Sequence, residues 1–263
     1  MKSKLRVFSS LARTGGTLVS RCIGCMQGVA LLSEIHPSGD QVDRSMNILR
    51  QAIDWYDTRE AEKLANATTT FAQVTQMIAR ELKAKNRQLV IRDWAHLDFM
   101  AVPFLPEPCH ESMLVKSLQN DFDITQFHLV RHPVPQWLST NRLDIVKGKL
   151  SLEQFLEGHY RYSLQCAENG FVRYEDFCDN PLSSMQLISD QLDISFDPDF
   201  LNKWPNYFFI TGDTIEMKKR ANSVRIEPVR VPAVDADFYR RLHGCQYYHQ
   251  SLELLGYGDV QLR

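Results

Sequence analysis

The sequence predicts an α/β protein with a mainly parallel central sheet flanked by helices on both faces. Three observations carry this. A short apolar strand near the N-terminus runs through a glycine-containing turn into a helix. Strand-like runs then alternate with helix-like runs, the pattern of a parallel sheet with crossover helices. Arg13, Arg92 and Arg131 all follow or end predicted strands, which gathers cations at the rim where such sheets bind ligands. A length of 263 residues suits one such domain, spanning 1–263.

Leu5 to Phe8 is mostly apolar and β-prone, and Ser9 and Ser10 end it. Arg13-Thr14-Gly15-Gly16-Thr17 reads as a turn and residues 17–30 as the first helix. Glu34-Ile35-His36-Pro37 opens an irregular turn, with Ser38-Gly39-Asp40 as breakers. Residues 41–85 are polar and helical. Met46, Leu49, Ile53 and Tyr56 fall at helical spacing, and Phe71, Val74, Ile78 and Leu82 repeat it. Two or three helices inserted there are well placed to wall a substrate pocket.

Gln88 to Ile91 predicts a second strand, running into Arg92-Asp93-Trp94-Ala95-His96. Pro103, Pro106 and Pro108 mark a loop, and Met113 to Val115 reads as a short strand. Thr125 to Val130 is a clear strand, and Pro133 suits the first turn of the helix behind it. A helix over 151–168, a strand over Phe171–Tyr174 and a helix from Asn180-Pro181 to Leu192 follow. Residues 203–232 are irregular and carry Lys218-Lys219-Arg220. One terminal helix covers Asp235 to Leu255.

Composition narrows the function. A net charge of −2 gives no support to a nucleic-acid or anionic-membrane partner. No apolar run approaches the roughly 20 residues of a membrane span, and no secretory signal is recognisable. The six cysteines are therefore expected to be reduced, in a cytoplasmic protein. Cys22 and Cys25 form a lone CxxC that reads as a packed helix face.

The strand, turn and helix of residues 5–25 form a phosphate cradle of the P-loop NTPase kind. A helix N-terminus offers unpaired N–H groups, and glycine lets an anion approach the backbone. The Walker A frame G-x-x-x-x-G-K-[ST] falls on Ser10 to Thr17. Gly15 and the Thr17 hydroxyl are kept, Gly16 replaces the lysine, and a cation stands earlier, at Arg13. The loss of the lysine argues against an ordinary ATPase. The second informative stretch is HLVRHPVPQWLSTNR, in which Ser139 lies eight residues after Arg131. Arginine clamps phosphate bidentately and a hydroxyl adds a donor.

In these two stretches the chain resembles the sulfotransferases that use 3′-phosphoadenosine 5′-phosphosulfate (PAPS). That family carries a [PR]-[KR]-[ST]-G-[TS]-T-like loop after a strand, and later a strand end R-[DH]-P with a serine beyond it. FVRYEDFCDNP resembles a third family stretch, and Lys219-Arg220-Ala-Asn-Ser223 a C-terminal basic one. The motifs occur in the family's order over residues 5 to about 232. The chain departs at Ala12 and at Gly16, where a loop hydroxyl is lost, and the dimerisation motif of the cytosolic phenol and steroid enzymes is not recognisable.

The resemblance implies transfer of a sulfuryl group from PAPS to a hydroxyl or amine of a small-molecule, glycan or lipid acceptor, without a metal. It implies that Arg13 and the amides of Thr14, Gly15, Gly16 and Thr17 hold the 5′-phosphosulfate. Arg131 and Ser139 would read the 3′-phosphate, Tyr174 would lie near the base, and Lys219, Arg220 and Ser223 would cover the nucleotide. Arg92 would touch the bridging or sulfuryl oxygens. For the general base, Glu34, which stands 21 residues after Arg13, is favoured over His96; Asp93 and His36 are further candidates. Two other readings stay open, a P-loop kinase of a small metabolite and a non-catalytic nucleotide-binding protein. Acceptor identity and oligomeric state are not legible.

Overall fold

The computed structural model describes residues 2–39, 47–52, 69–208, 210, 226–227 and 230–262. Five strands form one parallel sheet: β1 (Ser3–Ser10), β2 (Val29–Ile35), β3 (Gln88–Asp93), β4 (Phe122–Val130) and β5 (Phe171–Arg173). Their order is β2-β3-β1-β4-β5, with every neighbouring pair parallel. The N-terminal strand is central, so the loop that follows it opens at the middle of the sheet's carboxyl edge.

Side-chain alternation along β1 explains why both faces are covered. Leu5 and Val7 join one apolar cluster with Ala30, Leu32 and Ile91. Onto that face pack α2 (Ile48–Ala52) and α3 (Phe71–Ala84), through Ile48, Ile78 and Leu82. Phe8 points the other way, into a cluster with Val19 and Ile23 of α1 (Gly16–Gly24). The Thr70 hydroxyl accepts from the Gln73 N–H and the Gln73 side chain returns the bond, a capping box that fixes the start of α3.

Beyond β3 come α4 (Ala95–Met100) and α5 (Met113–Leu118), and beyond β4 comes α6 (Pro133–Thr140). α7 (Leu152–Asn169) is likewise started by a capping box, Ser151 with Gln154. α8 (Tyr174–Asp179) and α9 (Pro181–Leu192) follow β5, and Ile188 and Leu192 of α9 complete the Phe8 cluster. A third cluster joins Val130 and Phe155 to Leu242 and Leu252. These last two lie on α11 (Ala236–His243) and α12 (Gln246–Leu255), with α10 (Phe200–Lys203) earlier in the chain. No helix among the described residues is long and apolar enough to cross a membrane.

Four expectations are corrected. The first helix does not run to residue 30. It ends at Gly24, Gly28 turns with a φ of 78°, and Val29–Ile35 is a strand. Glu34 is therefore a strand residue and not part of an irregular turn. Met113–Val115 is helical, because the Ser112 hydroxyl accepts from the Val115 N–H and caps α5. The terminal helix is two helices, broken at Gly244-Cys245. Most of the helical insertion expected over 41–85 falls outside the described residues, apart from α2 and α3.

Candidate active site

The register sets the site. Phe8 pairs with Arg92 and Ser9 with Asp93 on one side of β1, while Ser10 pairs with Leu129 on the other. The arginines that end β3 and follow β4 therefore flank the loop after β1. That loop enters α1 through Gly15, whose φ of 100° suits glycine, and no side chain caps the helix N-terminus. Gln136 on α6 holds the loop from behind, donating from Nε2 to the Ala12 carbonyl at 2.9 Å and to the Thr14 hydroxyl at 3.0 Å. Thr14 is buried and Thr17 half-buried.

Four of the expected donor-binding residues form one connected group on the β4 side. Arg13 donates from Nε to Ser139 Oγ at 2.8 Å, and Arg131 donates from Nη1 to the Arg13 carbonyl at 3.0 Å. The Arg131 guanidinium lies over the Tyr174 ring, 5.0 Å from its centroid. A Cβ on Gly15 would stand 2.2 Å from that ring, so Tyr174 covers the loop glycine directly. Arg131 Nε is buried without a hydrogen-bond partner among the described residues. The structure thus places the Arg13 side chain with Arg131 and Ser139.

The β3 side carries the second group. Leu32 pairs with Ile91 but Ile35 pairs with Asp93, so β2 has one residue more than β3 between those pairs. Glu34 lies in this bulge with a φ of 55°. Bulges re-aim side chains, and here Glu34 Oε1 lies 2.9 Å from Arg92 Nη2. Arg92 is 4% exposed, and its Nε and Nη1 have no partner among the described residues. The same guanidinium comes within 2.7 Å of where a Cβ on Gly16 would stand. Arg92 therefore connects the start of α1 to Glu34.

The remaining candidates are differently engaged. His96 is buried, its Nε2 donates to the Val102 carbonyl at 3.0 Å, and burial lowers its pKa to about 4. His36 accepts the Ser38 N–H at Nδ1, 3.0 Å, and donates from Nε2 to Asp98 at 3.1 Å. Asp93 accepts from Ser112 Oγ at 2.8 Å; burial, with the nearby Asp98, raises its pKa far above the carboxylate range. Lys219, Arg220 and Ser223 lie outside the described residues. The sequence reading missed Gln136, three residues into a proline-started helix, and it took Ser10 only as a strand end, although Ser10 Oγ is buried without a partner among the described residues.

These unpartnered donors suit an anionic ligand. Buried donors are rarely left unpaired, and those of Arg92 and Arg131 lie on opposite sides of one uncapped helix N-terminus.

No protein-family model matches the chain, and no curated protein sequence matches it. Among solved structures, the chain is similar to the sulfotransferase domain of the Synechococcus PCC 7002 olefin synthase, at 16% identity and a TM-score of 0.62, over 97% of this chain and 95% of that one. It is also similar to the sulfotransferase domain from the curacin biosynthetic pathway, at 15% identity and a TM-score of 0.64, over 97% and 98% of the two chains. A likeness at such identity is one of fold: the five-stranded parallel sheet with its glycine loop has the fold of these sulfotransferase domains.

Proposed function

We propose that the chain is a sulfotransferase that moves a sulfuryl group from PAPS to a hydroxyl or amine acceptor by in-line displacement. The observation that carries this reading is Arg92: a buried guanidinium with two nitrogens unpartnered among the described residues, set between the N-terminus of α1 and a carboxylate. The two similar solved structures, both sulfotransferase domains, support it.

On this reading the amides of Thr14 to Thr17 hold the donor's 5′ end, and Arg13, whose side chain bonds Ser139, spans from that loop to the 3′-phosphate group. Arg131 and Ser139 take the 3′-phosphate, and Tyr174 lies against the base. Lys219, Arg220 and Ser223 complete the cover. The donor, when bound, supplies an electrophilic sulfur and a phosphate leaving group. Arg92 offsets negative charge on the oxygens around that sulfur. Glu34 accepts the acceptor's proton as its oxygen or nitrogen bonds to sulfur, and the electron pair of the broken bond leaves with the phosphate oxygen. A metal is not required, because Arg92 and the helix N-terminus supply the positive charge.

Glu34 is preferred to His96 as base because Glu34 lies against Arg92 beside the start of α1, whereas His96 is buried against Val102. The kinase reading is not preferred, because the Walker lysine position is Gly16. The test is incubation with PAPS labelled in its sulfate and a panel of small alcohols, amines, sugars and lipid alcohols. Label should appear on at least one acceptor class. Binding of PAPS with no transfer to any class would favour a non-catalytic nucleotide-binding protein.

A further inference from the structure

We infer that Ser10 is a binding residue for the transferred group, its hydroxyl and the Arg92 guanidinium together forming a small oxyanion subsite over Gly16. The inference rests on the reading of the loop as a donor site and adds a residue to it. Gly16 opens α1 and has no side chain to offer. A Cβ built there would lie 2.2 Å from Ser10 Oγ, 2.7 Å from Arg92 Nη2 and 3.1 Å from Arg92 Cζ. The space that a side chain at position 16 would fill therefore belongs to a hydroxyl from β1 and a guanidinium from β3.

Both groups are built in and left wanting. Ser10 is 3% exposed and Arg92 4%. Ser10 Oγ, Arg92 Nε and Arg92 Nη1 have no hydrogen-bond partner among the described residues. An unpaired hydroxyl in the interior is costly, and unpaired nitrogens of a buried cation more so. The two meet beside a helix N-terminus that no side chain caps, where backbone dipoles favour negative charge. A hydroxyl, a guanidinium and backbone N–H groups all donate to the oxygens of an oxyanion.

The subsite sits on the acceptor side of the loop. Arg92 Nη2 is joined to Glu34, whereas the Arg131, Ser139 and Tyr174 group lies across the loop on the β4 side. Ser10 is therefore assigned to the transferred sulfuryl oxygens and not to the nucleoside or its 3′-phosphate. A hydroxyl from the end of β1 takes the place of the one lacking at Gly16.

The test is a titration of inorganic sulfate into the protein, with and without adenosine 3′,5′-bisphosphate, for wild type, Ser10→Ala and Ser10→Thr. Ser10→Ala should weaken sulfate binding about tenfold, the loss of one hydrogen bond to a charged group, while bisphosphate affinity stays within about twofold. Ser10→Thr, which retains the hydroxyl, should keep sulfate affinity. Equal sulfate affinity in wild type and Ser10→Ala would overturn the assignment. So would a parallel loss of sulfate affinity, bisphosphate affinity and melting temperature, the mark of a structural serine. A wild type that binds sulfate but not the bisphosphate would instead count against the donor reading, and the sulfate comparison would still decide the role of Ser10.

Discussion

Arg92 and Glu34 meet at 2.9 Å across neighbouring strands because β2 carries one extra residue where Glu34 stands. Leu32 and Ile35, three residues apart, both pack into the same apolar cluster. Strict alternation would put them on opposite faces. The bulge restores Ile35 to the core and leaves Glu34, at a φ of 55°, turned to Arg92.

The pair gives the first prediction. Glu34→Gln keeps the shape of the side chain and removes its capacity to take a proton. Turnover should fall by about 10²- to 10⁴-fold, the usual contribution of a general base. Affinity for adenosine 3′,5′-bisphosphate should change little. Steady-state kinetics with PAPS beside a binding titration separates the two; turnover at the wild-type rate would remove Glu34 from the mechanism.

Gly15 supplies the second. Its φ of 100° disfavours any side chain, and a Cβ there would meet the Tyr174 ring at 2.2 Å. Gly15→Ala should lower the unfolding free energy by about 1–3 kcal/mol and weaken bisphosphate binding. In a Tyr174→Ala background the steric part should vanish and the backbone part remain. A urea-unfolding double-mutant cycle measures the coupling, and strict additivity would mean that the ring does not press on the loop.

The third prediction concerns pH. Burial lowers the pKa of His96, His128, His132 and His159 from 6.5 to about 4. Between those values the unfolded chain binds protons that the folded chain does not, so these histidines make stability rise as pH rises from about 4 to 6.5. His128 is packed edge-on against Tyr162. His128→Phe should reduce the slope of unfolding free energy against pH in that window by up to one proton. An unchanged slope would mean that His128 is protonated in the folded protein.

Much of the fold was legible because local signals agreed. Pro133 starts α6, Asn180-Pro181 starts α9, and Phe8, Val90 and Leu129 fill one face of the sheet while Leu5, Val7 and Ile91 fill the other. β2 was missed because Val29-Ala30-Leu31-Leu32 is a short apolar run with no period of its own, joined to α1 by a turn whose only strong signal is Gly28. Met113–Val115 looked like a strand for the same reason, and the cap from Ser112 decided otherwise. In the site, Arg92 and Arg131 were legible as strand ends. The Arg92–Glu34 pair was not, because it depends on a one-residue register slip that no composition records. Nor was the placement of Arg13 beside Ser139, which lie 126 positions apart in the chain.

The most direct test of the central claim is the melting temperature with adenosine 3′,5′-bisphosphate, compared with 5′-AMP and with magnesium-ATP. A ligand at 100 times its Kd adds about 2.7 kcal/mol, on the order of 5–10 °C for a chain of this size. The account predicts such a rise with the bisphosphate, little with 5′-AMP, and its loss in Arg131→Ala. A rise with magnesium-ATP and none with the bisphosphate would contradict it and put a kinase in its place.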